Sequence, residues 1–161
     1  MFLIPYNRLS EEQKGIVRRI SREQKNLFVE GPPGSGKTLI SLYTLRDMVE
    51  EGAIRPLLLM YNHSLYGYLR TAMQELEISD NITIATKDKF FWDLASLNNI
   101  DRNQGGSYDA KYDYLLTKLL QCNLVKTYDV TVVDEVQDLN PKEWLLIKRI
   151  SKRITSLGDF N

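Results

Sequence analysis

The stretch Gly31-Pro32-Pro33-Gly34-Ser35-Gly36-Lys37-Thr38 constrains this chain more than any other feature. It fits the pattern G-x-x-x-x-G-K-[ST] without a gap. A short apolar run, Asn26–Glu30, leads into it. A segment reaching Glu51 leads out, with Leu39, Leu42, Leu45, Met48 and Val49 at helical spacing and Gly52 as the stop. The bland reading is a Gly/Pro-rich surface turn. The informative one is a strand-to-helix loop whose glycines let it curl until successive amides point inward, where the helix N-terminus adds its partial positive charge. Such a loop grips phosphate oxygens. Gly31, Pro32, Pro33, Gly34, Ser35 and Gly36 would line it, and Lys37, Thr38 and Leu39 would complete it at the start of the helix. Lys37 would reach the β- and γ-phosphates of a nucleotide, and the Thr38 hydroxyl would ligate Mg2+.

The rest of the chain repeats the same alternation. Short apolar runs at 57–61, 82–86, 129–133 and 154–157 alternate with helical patterns at 10–21, 64–77, 87–97, 108–122 and from Pro141 to about Ile150. Pro141 suits a first helical turn, and 98–107 is polar and glycine-containing. Strands alternating with helices of this length predict an α/β fold with a mostly parallel central sheet flanked by helices. The strands are apolar throughout, as expected where helices cover both faces. At 161 residues the chain has room for a single domain, 1–161, with 43% apolar and 26% charged residues.

Composition excludes several chemistries. One cysteine, Cys122, and one histidine, His63, cannot build a disulfide framework, a multi-cysteine zinc site or a two-imidazole site. The 21 Lys and Arg cancel the 21 Asp and Glu, so any basic binding surface must be local. No apolar run is long enough for a bilayer and no signal-peptide pattern opens the chain, so no membrane partner is expected and a cytoplasmic, reduced setting is. Catalysis would rest on carboxylates, cations, hydroxyls and backbone amides. A carboxylate at a strand tip is the natural second half of a phosphate site, and Asp134-Glu135 follows the buried-type strand Val130–Val133. Asp134 would hold Mg2+, and Glu135 would orient and deprotonate an attacking water.

Asp134-Glu135-Val136-Gln137-Asp138 resembles the D-E-x-Q-D box of UvrD/Rep-like superfamily 1 DNA helicases, and other pieces follow in that family's order. Leu9-Ser10-Glu11-Glu12-Gln13 resembles its glutamine motif; the resemblance implies that Gln13 reads adenine, although its spacing from Ser10 equally suits a plain capping box. Leu58–Leu65 resembles the motif that lies against single-stranded nucleic acid, which implies contacts from Asn62 and Ser64. Thr83–Phe90 resembles the next motif, with Thr86 near a phosphate. Gln137 would sense the γ-phosphate or attacking water, or be a helix-entry glutamine. Gly158 and Asp159, in Ser156–Asn161, resemble the motif that couples nucleotide to the strand, here without its glutamine.

The resemblance thus implies a three-layer, RecA-like P-loop NTPase domain that binds ATP and Mg2+ and moves on single-stranded nucleic acid, DNA in preference to RNA. Residues 93–127 would be a short helical segment in place of a large insertion. Motifs of the family's second RecA-like domain are missing, among them arginines worth on the order of 10³–10⁵ in rate in related NTPases. The expectation is therefore the first motor domain of a longer helicase, binding ATP but hydrolysing it poorly without its partner domain. Two other readings stay open: a stand-alone P-loop ATPase, and a nucleotide-binding module with negligible turnover.

Overall fold

The computed structural model describes residues 3–78, 80–102 and 105–159. Strands β1 (Leu27–Glu30), β2 (Pro56–Met60), β3 (Thr83–Thr86), β4 (Tyr128–Val133) and β5 (Ser151–Gly158) form one sheet in the order β1-β5-β4-β2-β3. Every pairing is parallel. The helices between them are α1 (Glu11–Arg22), α2 (Lys37–Glu50), α3 (Tyr66–Glu75), α4 (Lys87–Leu97), α5 (Tyr108–Gln121) and α6 (Pro141–Ile150). This is the expected α/β architecture of a P-loop NTPase domain.

Strand periodicity explains the three layers. Leu58 and Met60 of β2 and Val130 and Val132 of β4 face one way and pack on α1, α2 and α3 through Val17, Leu42, Leu45 and Leu69. Leu57 and Leu59 alternate to the other face, where Val133 and Ile154 join them against Phe91, Leu115, Leu116, Leu146 and Ile147 of α4, α5 and α6. Because both faces are covered, a period of two reads in sequence as an unbroken apolar run. Helix α2 has no simple stripe either. Ile40 to Leu45 are all buried, Ser41 and Thr44 included, because α2 is wedged between α1, α3 and the sheet.

The structure corrects several expectations. The apolar rule fails at β1, an edge strand with alternating burial whose Phe28 is 46% exposed. Phe28, Leu139, Pro141 and Trp144 line a groove of about 480 Å³ beside it. Strand β5 is twice the predicted length because α6 passes straight into it at Ser151 with no loop. The predicted helix 64–77 is a 3-10 turn, His63–Leu65, followed by α3, and an unpredicted 3-10 turn covers Val136–Asp138. Cys122, at the end of the predicted helix 108–122, is the half-buried C-cap of α5, with its thiol donating to the Lys118 carbonyl. Among the described residues no helix is long and apolar enough to cross a membrane.

Candidate functional site

Parallel strands put all their C-terminal ends on one edge, which is where ligands gather in open α/β sheets. The loop after β1 and the carboxylates after β4 meet there by reaching over the intervening β5. The Thr38 hydroxyl donates to Asp134 Oδ2 at 2.8 Å, joining residues 96 apart in sequence. The Asp134 amide donates to the Leu59 carbonyl, extending the β4–β2 ladder by one bond and fixing where the carboxylate starts.

Asp134 is 4% exposed, and its Oδ1 is buried with no hydrogen-bond partner. Burial pushes its carboxyl above the usual aspartate range; the Thr38 hydroxyl opposes this, and the neighbouring Glu135 charge adds to it. An unpartnered buried carboxylate oxygen costs free energy that a cation would recover. Thr38 and Asp134 therefore fit a magnesium ion by donor chemistry: two hard oxygens, one charged and orphaned.

The phosphate loop is already curled. Gly36 caps α2 at φ 85°, a left-handed conformation that suits glycine, and a Cβ there would stand 2.5 Å from Gln13 Nε2. Ser35 Oγ is buried without a partner. Lys37, 6% exposed, folds back so that its ammonium donates to the carbonyls of Gly31 and Pro32 at 2.8 and 3.2 Å. Those bonds to neutral carbonyls are ones a phosphate oxygen could replace with a charge-assisted bond. Pro32, Pro33 and Gly34 form the exposed rim, while Leu39 turns away and packs against the core.

Gln13 is the capping-box residue that its spacing from Ser10 suggests, and it also reaches the phosphate loop. Its amide nitrogen accepts nothing and donates to Ser10 Oγ, and its side-chain oxygen accepts from the Ser10 amide, which is a capping box. Its side-chain Nε2 meanwhile donates to the Ser35 carbonyl at 3.0 Å, tying α1 to the phosphate loop.

The residues after β4 form a second hydrogen-bonded group on this edge. Glu135 adopts φ 57°, ψ 55°, a left-handed conformation costly for a side chain and kept where surroundings over-determine it. Gln137 Nε2 donates to Glu135 Oε2 at 2.6 Å, and the Asp159 amide donates to Gln137 Oε1 at 3.2 Å. Gly158 permits that approach, because a Cβ there would lie 2.6 Å from Gln137 Oε1. Glu135, Gln137, Gly158 and Asp159 are thus brought together; Phe160 and Asn161 lie outside the described residues.

The nucleic-acid candidates separate. Asn62 and Ser64 are exposed at the tip of β2, where Asn62 Oδ1 accepts from the Ser64 amide. Thr86 ends β3 on the same edge but is 4% exposed, its hydroxyl buried and unpartnered, so it offers no surface to a ligand in this conformation. Tyr61, 52% exposed, stands beside Asn62 with the Lys87 ammonium 5.4 Å from its ring centroid.

Sequence reading passed over one cluster at this edge: Lys87, Tyr112 and the fully buried Glu143. The available signal was Asn140-Pro141-Lys142-Glu143, a second capping box with proline at its first helical position, which places Glu143 at the start of α6.

Compared with known proteins, residues 13–161 match a family model described as AAA domain. No curated protein matches the chain.

Proposed function

The chain belongs to the AAA domain family of P-loop NTPases, and from that premise we propose that it is the ATP-binding motor domain of a UvrD/Rep-like helicase, coupling ATP hydrolysis to movement on single-stranded DNA. The observation that carries the nucleotide half is the 2.8 Å contact between Thr38 and Asp134, which unites the phosphate loop with a strand-tip carboxylate. Lys37 leaves its two carbonyls for the β- and γ-phosphates, and the loop amides from Gly31 to Thr38 take the remaining phosphate oxygens. When bound, magnesium held by Thr38 and Asp134 neutralises charge on the transferring phosphoryl group. Glu135 orients the attacking water and receives its proton, and Gln137 holds the Glu135 carboxylate in place.

The strand half rests on the D-E-x-Q-D resemblance and on the exposed Tyr61, Asn62 and Ser64 beside the nucleotide edge. The Glu135–Gln137–Asp159 chain supplies a route by which γ-phosphate loss is felt at the end of β5. A second RecA-like domain would complete the site with its arginines. A second reading, a nucleotide-binding module without translocation, is favoured by the burial of Thr86.

Binding of a fluorescent ATP analogue, with and without oligo(dT), separates these readings. Wild-type chain should bind the analogue with magnesium, and Lys37→Ala should abolish binding. Oligo(dT) should change nucleotide affinity or hydrolysis, and Asn62→Ala/Ser64→Ala should blunt that response. Nucleotide binding indifferent to DNA leaves the module; unchanged affinity in Lys37→Ala removes the phosphate site itself.

A further inference from the structure

Within the phosphate loop, Ser35 has a glycine on either side. Gly34 and Gly36 adopt φ 78° and 85°, left-handed values that carry no steric penalty for glycine. A peptide unit beside such a residue can turn over cheaply, so its direction has to be set from outside the loop. The Ser35–Gly36 peptide is planar and trans, and its carbonyl and amide therefore point to opposite sides. Holding the Ser35 carbonyl in one direction turns the Gly36 amide in the other.

Gln13 holds that carbonyl. Its Nε2 donates to Ser35 O at 3.0 Å and lies where a Cβ on Gly36 would stand only 2.5 Å away, so the carboxamide rests against a bare backbone. The other end of the same carboxamide is anchored: Oε1 accepts from the Ser10 amide at 3.0 Å, inside the capping box of α1. Helix α1 is itself seated on the core through Val17 and Ile20. The side chain is a strut from a packed helix to the most pliable peptide of the loop. The Lys37 bonds to the Gly31 and Pro32 carbonyls are of another kind, because the lysine gives them up when it turns to phosphate. A phosphate oxygen is an acceptor and does not compete for the Ser35 carbonyl, so the Gln13 bond can persist when the loop is occupied.

We propose that Gln13 is a positioning residue for the phosphates: by pinning the Ser35 carbonyl toward α1 it keeps the Gly36 amide turned to the triphosphate, and it acts alike on nucleotides of any base. The proposal rests on the reading of Gly31–Thr38 as a phosphate loop, and it gives Gln13 a task other than the adenine contact that the family resemblance implies. An amide set in advance needs no ordering when the ligand arrives. An unpinned one has to be ordered on binding, at a cost in affinity.

The test displaces a fluorescent ATP analogue from the whole chain with ATP, GTP or inorganic tripolyphosphate, magnesium being present throughout. Gln13→Ala should weaken all three competitors by the same factor, about tenfold, the size expected when one ordinary hydrogen bond no longer orders the loop. Ser10→Ala is the control: it removes the hydroxyl that caps α1 but keeps the Ser10 amide and the Gln13 carboxamide. Both variants should melt at a lower temperature than wild type, whereas Ser10→Ala should bind the three competitors within about twofold of it. A loss confined to ATP overturns the proposal in favour of a base contact. Equal losses in Ser10→Ala and Gln13→Ala reduce Gln13 to a helix cap and overturn it too, as does unchanged binding in Gln13→Ala. If Gln13→Ala lacks a cooperative thermal melt, Gln13→Glu, which keeps the capping box but lacks the donor, decides by the same comparison of ATP, GTP and tripolyphosphate. A wild-type chain that binds none of the three removes instead the phosphate-loop reading beneath the proposal, a result distinct from any of these failures.

Discussion

Asp134 and Glu143 lie nine residues apart on the same edge of the sheet, and both are buried carboxylates, yet they are built oppositely. Glu143 is saturated: a lysine, a tyrosine and a backbone amide occupy its oxygens. Asp134 has one hydroxyl partner and one oxygen left with none. A satisfied buried acid belongs to the scaffold, whereas an unsatisfied one holds free energy in reserve for a ligand. Burial alone does not distinguish a site from a strut; the partner count does.

The contrast is broken most directly by deleting each acid. Glu143→Ala should cost about 3 kcal/mol of folding stability, near the lower end for breaking a buried pair because Lys87 keeps some water. Asp134→Ala should leave the nucleotide-free chain as stable or more so. Urea titration of both variants measures this, and equal losses would erase the distinction. The pH dependence is the next largest effect. Folded Asp134 holds its proton more tightly than the unfolded chain does, so between the ordinary aspartate value and the raised one the folded state binds more protons. Stability from this group is therefore full at low pH and falls as pH rises from about 4. Asp134→Asn should flatten that slope in urea titrations repeated across pH. The smallest effect compares the two capping boxes. Ser10→Ala, at the open end of α1, should cost about 1 kcal/mol. That is well short of the loss at the buried Asn140–Glu143 box.

Much of this was legible along the chain. The eight residues from Gly31 to Thr38 carry their own physics, since glycine placement, lysine and hydroxyl are local requirements. Apolar runs separated by helical patterns gave the strand and helix inventory, and Asp134-Glu135 announced a strand-tip acid. What was not legible involves partners distant in sequence. Phe28 reads like any strand residue, but its exposure depends on β1 lying at the edge of the sheet, beside an open groove. Thr86 sits in the motif expected beside a phosphate, and only packing turns its hydroxyl inward. Lys87 and Tyr112 look like ordinary helix residues until α6 places Glu143 between them.

The sequence by itself determined the alternating elements, the phosphate-gripping turn and the acidic strand tip, because each is written in residues adjacent to one another. Tertiary structure alone decided that β5 would lie between β1 and β4, that Thr38 would meet Asp134 across it, and which buried acid would be left wanting a partner. Strand order and side-chain pairing depend on how apolar faces close over a sheet, a competition among distant segments that no local window contains.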